Sequence, residues 1–323
     1  GKIAIYDVRQ SADVPVLDNN NIPGKHRDPV WELKWIEQPH NGVNDDEAKG
    51  EFLVSISTDG RVCQWQIRKS TLEHADLMVL KRVTKQTPEQ QTTGGATGAP
   101  GGQAPRSGGS GAGHSKPAAF ISRQAGGLCF DFSTKDKNSY LLGTEDGHIH
   151  RCSVSYNEQY LQTQFGHTGP VYKVKWSPFL PNVFLSCSAD WTVRLWDMEE
   201  DASIFKFQSG KNGITDIAWS PTHSTIFSCV SNDGRLEVWD LKTSVLDPVI
   251  VHTVLDRQLT SIIFGSKSPC ILIGDDSGAV SVFNIKIPKP VVGRKIEPEP
   301  TPEDQAALLE NIIRNKGVDE STK

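Results

Sequence analysis

Three constellations in this 323-residue chain have the residue types that chemistry needs. His148 and His150 stand two apart in an alternating run, so both imidazoles share one strand face, a spacing that suits a metal ion. Asp275 and Asp276 are adjacent carboxylates, the raw material of general acid–base work. Residues 92–114 hold nine glycines, a composition to be compared with phosphate-cradling loops. Each weakens on inspection. No third ligand accompanies the histidines, and sister segments place Arg61 and Cys63, Thr192 and Arg194, or Arg235 and Glu237 at the same two positions. The aspartates occupy a tight turn, where Asp is favoured for bonding its own backbone. The glycine stretch lacks the Lys-Ser/Thr ending of a P-loop and opens no helix. No catalytic residue, cofactor-binding residue or metal ligand is expected, and the chain reads as a non-enzyme.

Composition narrows the classes further. Hydrophobic residues make up 37% and charged residues 23%, with a net charge of −5 and a pI near 6.0. A mildly acidic chain lacks the basic footprint of a nucleic-acid binder. No window holds the ~18 consecutive apolar residues of a membrane span, and no basic-then-apolar start marks a signal peptide. The six cysteines (Cys63, Cys129, Cys152, Cys187, Cys229, Cys270) are scattered singly, with no C-x-x-C. That pattern suits buried thiols in a reducing compartment. Gly1 falls within the repeating pattern, so the chain reads as a piece of something longer.

What positions these residues is a repeat. The turns Ser57-Thr58-Asp59-Gly60, Thr144-Glu145-Asp146-Gly147, Ser188-Ala189-Asp190-Trp191, Ser231-Asn232-Asp233-Gly234 and Asp275-Asp276-Ser277-Gly278 align. Five residues past each comes Trp65, Cys152, Trp196, Trp239 or Phe283, and the last three intervals are 43 or 44 residues. Within a unit, runs such as Val193/Leu195 and Leu236/Val238 alternate with polar neighbours, which marks a strand. A second run carries Leu33/Trp35, Phe130/Phe132, Val174/Trp176, Ile217/Trp219 or Ile262/Phe264. Four short strands cannot bury both faces alone, so the units must pack around an axis. An all-β propeller is predicted, with about five full blades plus part of another here and seven expected for a closed ring.

Residues 1–8 would then be the end of a preceding blade, 26–66 a blade, and 123–285 the remaining blades. Between them, residues 67–122 would supply blade-edge strands (76–81 closing one blade, 118–122 opening the next) around a disordered glycine-rich insertion. Residues 286–323 read as a Pro-rich extension followed by an amphipathic helix. Thr301-Pro302-Glu303-Asp304 is a helix start, and Gly317 suits a stop. Leu309, Ile312 and Ile313 lie in its apolar stripe, which either folds back on the propeller or docks on a partner.

Gly166-His167, Trp176-Ser177-Pro178, Ser186 to Asp190 and Trp196-Asp197 resemble a complete WD40 repeat. The resemblance implies a buried hydrogen-bonded set of His167, Ser186 or Ser188, Asp190 and Trp196, and a second of His26, Ser55 or Ser57, Asp59 and Trp65. These roles are structural. Other blades lack the His, so their sets are incomplete. For partner docking the candidates are Trp191, which replaces the usual turn Gly and should project from a loop tip, and Trp31 and Tyr172, which with Leu128, Thr215 and Thr260 should rim the central channel.

Three stretches resemble the axonemal dynein intermediate chains: Gly143 to Cys152 with Ser155-Tyr156-Asn157-Glu158-Gln159, Val183 to Asp197, and Ile273 to Gly278. Gly166-His167-x-Gly169-Pro170-Val171-Tyr172-Lys173-Val174 is most similar to the inner-arm type, the regulatory intermediate chain of the two-headed dynein f. That likeness implies a non-catalytic motor subunit in the ciliary or flagellar axoneme. Its propeller would hold a dynein heavy-chain tail beside a second intermediate chain, and light chains would bind an N-terminal region outside this chain. No nucleic acid, membrane or cofactor is implied. The other readings are a WD40 adaptor of a ubiquitin-ligase or chromatin complex, and a cytoplasmic dynein intermediate chain.

Overall fold

The computed structural model describes residues 1–10, 14–37, 51–68, 71–83, 124–266, 268–286, 291–292, 295–296 and 301–319. The expected insertion at 92–114 and the strand at 118–122 lie outside those residues. A hairpin of β1 (Ala4–Ile5) and β2 (Leu17–Asp18) comes first. Four four-stranded antiparallel sheets follow in chain order. They are β3 (Val30–Glu37), β4 (Glu51–Ser57), β5 (Arg61–Arg68) and β6 (Thr71–Val79); then β7 (Gly127–Phe132), β8 (Ser139–Thr144), β9 (Ile149–Ser153) and β10 (Gln162–Gln164). Next come β11 (Val171–Trp176), β12 (Val183–Ser188), β13 (Val193–Asp197) and β14 (Phe205–Phe207), then β15 (Ile214–Trp219), β16 (Ile226–Ser231), β17 (Arg235–Asp240) and β18 (Ile250–Thr253). A sheet of β19 (Leu259–Phe264), β20 (Cys270–Asp275) and β21 (Val280–Asn284) has three strands among the described residues, and a short pair of β22 (Val291–Val292) and β23 (Lys295–Ile296) follows it. The closing strand expected at 76–81 is longer and earlier, since β6 starts at Thr71.

Hydrophobic clusters lie between consecutive sheets, which makes the stack a propeller. Val54, Ile56 and Met78 pack on Phe130, Phe132 and Tyr140; Cys129, Leu141 and Ile149 pack on Val174, Trp176 and Trp196. Leu185 and Phe207 meet Ile217 and Phe227, and Val230 and Leu236 meet Ile262 and Ile273. The first strand of each sheet faces a common axis: Lys173 on β11 reaches past β7 to bind Glu32 on β3 at 2.8 Å.

An innermost strand is an edge whose free N–H groups need acceptors, and carboxylates of the preceding blade supply them. Glu32 accepts from Phe130 N at 3.0 Å, Asp131 from Trp176 N at 2.9 Å and Asp216 from Ile262 N at 3.0 Å. The indoles of Trp176 and Trp219 donate to Asp131 O and Lys175 O. Leu33 and Trp35, at the matching places on β3, are 48% and 45% exposed because only β1 and β2 precede them among the described residues.

The helix α1 (Pro302–Asp319) corrects one expectation. Its stripe does not face a partner: Leu309 is fully buried against the β11–β18 blades, and Ile312 and Ile313 are half-buried in the same cluster. The fold-back is fixed by a polar anchor, with Gln305 Oε1 accepting from Ser224 N at 2.8 Å and the Ser224 hydroxyl donating to Gln305 O at 2.6 Å. Thr301 and Asp304 cap each other reciprocally, Thr301 N to Asp304 Oδ2 at 3.0 Å and Asp304 N to Thr301 Oγ1 at 3.2 Å. The helix continues through Gly317 to Asp319 and does not stop there. Replacing Leu309 by Ala should weaken this seat by about 2–5 kcal/mol. Hydrogen exchange should then show protection lost across 302–319 while the blade strands keep theirs.

Candidate functional site

The repeat's conserved geometry is set by strand register. On β12, Phe184 pairs with Trp196 and Ser186 with Arg194, which places Ser186 inside and leaves Ser188 at the turn. His167 Nδ1 lies 2.9 Å from Asp190 Oδ2 and its Nε2 2.7 Å from Ser186 Oγ, while Trp196 Nε1 donates to the same hydroxyl at 2.8 Å. An ionised carboxylate only accepts, so Nδ1 carries the proton and Nε2 accepts from the serine. Ser188 instead donates to Gly169 O at 3.0 Å and accepts from Asp190 N at 3.1 Å. The second set repeats this. His26 bridges Asp59 at 3.0 Å and Ser55 at 2.7 Å, Trp65 donates to Ser55 at 2.7 Å, and Ser57 bonds Asp28 O at 3.1 Å.

Asp, His and Ser at these separations are the residues of a hydrolytic triad. Here the hydroxyl is sealed. Ser186 and Trp196 have no exposed surface, and the indole N–H occupies the oxygen's remaining approach. The arrangement clamps a loop to a turn and has no path to a substrate.

The clamp is acid-sensitive. Burial pushes the His167 imidazole below its ordinary 6.5, against the pull of Asp190. Burial works against charge on Asp190 as well, but the bonds from His167 and Thr192 hold its carboxyl below the ordinary 3.8. Buried His150 is pushed down to about 3. All three bind protons less readily folded than unfolded, so their stabilisation is complete above about pH 6.5 and is lost progressively as pH falls. Urea titrations should show the unfolding midpoint dropping from pH 7.5 to 5, and dropping further below 3.8.

The blade of β15–β18 shows a solution that sequence reasoning missed. Cys229 stands where Ser186 stands, and Glu237 accepts from Trp239 Nε1 at 3.2 Å, from Cys229 Sγ at 3.7 Å, and from the Ser209 hydroxyl. The visible signal was a carboxylate in the apolar run Leu236-Glu237-Val238-Trp239.

The other constellations are structural too. His150 stacks on Tyr160 at 3.8 Å and bonds Thr163 Oγ1 at 2.9 Å, while His148 sits edge-on to Phe165 at 4.8 Å. Asp275 accepts from Ser277 N and Ala279 N, and Asp276 from Gln258 N. A concavity of about 250 Å³ between the β3–β6 and β7–β10 blades, lined by Arg27, Thr58, Arg82 and Glu145 among others, is crossed by the Arg82–Glu145 pair at 2.9 Å.

The docking candidates share the loop face. In all five innermost strands the register skips one residue at the same place, and the skipped residues are Trp31, Leu128, Tyr172, Thr215 and Thr260. A bulge re-aims its extra side chain. Trp31 is 58% exposed, while Tyr172 is half-buried against the neighbouring core. The β-turn glycines Gly60, Gly147, Gly234 and Gly278 have φ between 78° and 83°, and Trp191 takes the equivalent place at 71° with 44% of its surface exposed. That conformation disfavours a side chain by about 1–2 kcal/mol, yet the largest one is there.

Comparison with known proteins agrees with the geometry. A family model described as the dynein axonemal intermediate chain 3 WD40 domain matches residues 131–285. Dynein axonemal intermediate chain 4 of Xenopus laevis is 50% identical over 276 residues, covering 85% of this chain and 34% of the relative. The Homo sapiens counterpart is 48% identical over 88% of this chain and 31% of its own length. Dynein intermediate chain 2, ciliary, of Heliocidaris crassispina is 32% identical over 97% and 41%. The chain thus spans about a third of the length of the intermediate chain 4 relatives. Repeat, blades and relatives together place this chain, by its WD40 propeller, in the family of axonemal dynein intermediate chains.

Proposed function

We propose that this chain is a non-catalytic intermediate chain of an axonemal dynein of the inner-arm type, working in the axoneme of a cilium or flagellum. Its propeller docks the tail of a dynein heavy chain, beside a second intermediate chain, and helps assemble and regulate the motor. Light chains bind a region N-terminal to this sequence. ATP hydrolysis belongs to the heavy chain, and the sealed polar clamps of this ring fit that division. The observation that carries the reading is Trp191: a strained turn position given to a half-exposed indole makes sense as a contact residue, since backbone strain tends to persist where function needs it. A rigid ring presenting such residues on loops can hold an extended tail in one pose.

The tagged chain, isolated from ciliated cells, should bring down an inner-arm heavy chain identified by mass spectrometry. Recovery of ubiquitin-ligase or chromatin subunits without any dynein heavy chain would overturn the reading.

A further inference from the structure

The corner of the loop face around Trp191 gathers basic side chains. Arg194 on β13 pairs in register with Lys206 on β14, so two cations share one sheet face beside the Trp191 turn. The next loop brings Lys211, whose neighbour Gly213 lies against Ala189 in that same turn, and the Arg235 guanidinium lies beside Gly210. Lys206 and Lys211 are exposed and, among the described residues, have no carboxylate within 4.0 Å. Arg194 donates to Ser203 Oγ at 3.3 Å, and its Nε is buried without a partner.

The carboxylates of this corner are committed elsewhere. Asp190 is held by His167 and Thr192, Asp233 by Ser231, and buried Glu237 by Arg235, Ser209 and Trp239. Elsewhere on this face Arg61 pairs with Asp76, and Arg82 with Glu145 and Asp146. In a chain of net charge −5, an indole beside Arg194, Lys206 and Lys211, none of which has an ion pair among the described residues, marks the chemistry of its occupant.

We propose that this corner receives an acidic segment of the docked tail, with an apolar side chain laid on Trp191 and carboxylates beside Lys206, Lys211 and Arg194. The inference rests on the docking role given above to Trp191 and adds the partner's charge. Opposed charges at a rim act mainly on the association rate and make it salt-dependent.

The test measures capture of the full chain by an immobilised recombinant heavy-chain tail. Lys206→Glu/Lys211→Glu should weaken capture roughly tenfold or more, mostly through slower association, and raising salt from about 50 to about 300 mM should weaken the parent similarly. Lys135→Glu, at the opposite end of a blade, should leave capture unchanged. If Trp191→Gly weakens capture while the lysine reversals and salt do not, the acidic occupant is wrong and the docking role stands. If none of these changes alters capture, both fall.

Discussion

Replacing Ser186 by alanine is expected to cost the ring about 2–4 kcal/mol, far more than the loss of one small side chain. The hydroxyl serves two buried groups at once: it accepts from Trp196 Nε1 and donates to His167 Nε2. Alanine leaves both without partners in a site from which water is excluded, and each unsatisfied group costs about 1–3 kcal/mol. His167, no longer held from one side, should also release Asp190 and the turn that carries Trp191. Ser188→Ala makes the informative contrast. Its hydroxyl, as buried as that of Ser186, holds two backbone groups of the partly exposed residues Gly169 and Asp190, and about 1 kcal/mol is expected. Chemical denaturation of both variants checks the difference, and equal losses would show that Ser186 and Ser188 share the load.

The second large effect separates stability from binding at one residue. Trp191→Gly removes a left-handed side chain, a relief of about 1–2 kcal/mol. It also forfeits the contacts of the buried half of the indole and adds about 0.5–1 kcal/mol of unfolded-state entropy. Net stability should therefore stay within about 1 kcal/mol of the parent. Trp191→Ala keeps the strain and loses the contacts, so it should be less stable than the glycine variant by about 1 kcal/mol. Capture of the heavy-chain tail should fall in both by about 30-fold or more, equivalent to about 2 kcal/mol for a contact of this type. Weak capture beside undiminished stability is the signature of a contact residue. Parallel losses of both would make Trp191 a structural tryptophan.

The repeat made most of the ring legible in advance, because alternation and turn chemistry are local properties that recur every 43 or 44 residues. The members of the two polar sets could be named for the same reason. Choosing Ser186 over Ser188 could not be done, since residues two apart share a strand face and only the pairing with β13 separates them. Glu237 was overlooked as an acceptor because its partner Ser209 lies 28 residues away in another loop. The seat of α1 was illegible for a stronger reason. An apolar stripe looks the same whether it will meet a partner or its own chain, and the deciding Gln305–Ser224 bond joins residues 81 apart. The repeated bulge left its trace only as a recurrent position, two residues before each apolar pair, whose side chains range from Trp31 to Thr260.

Cross-linking followed by mass spectrometry on intact inner-arm dynein from axonemes gives the most direct measurement. With α1 seated at the opposite end of the blades, lysines on the loop face, Lys206 and Lys211 above all, should link to the heavy-chain tail, and Lys135 should not. Links confined to Lys135 and the α1 side, or none to a heavy chain at all, would contradict docking through the Trp191 face.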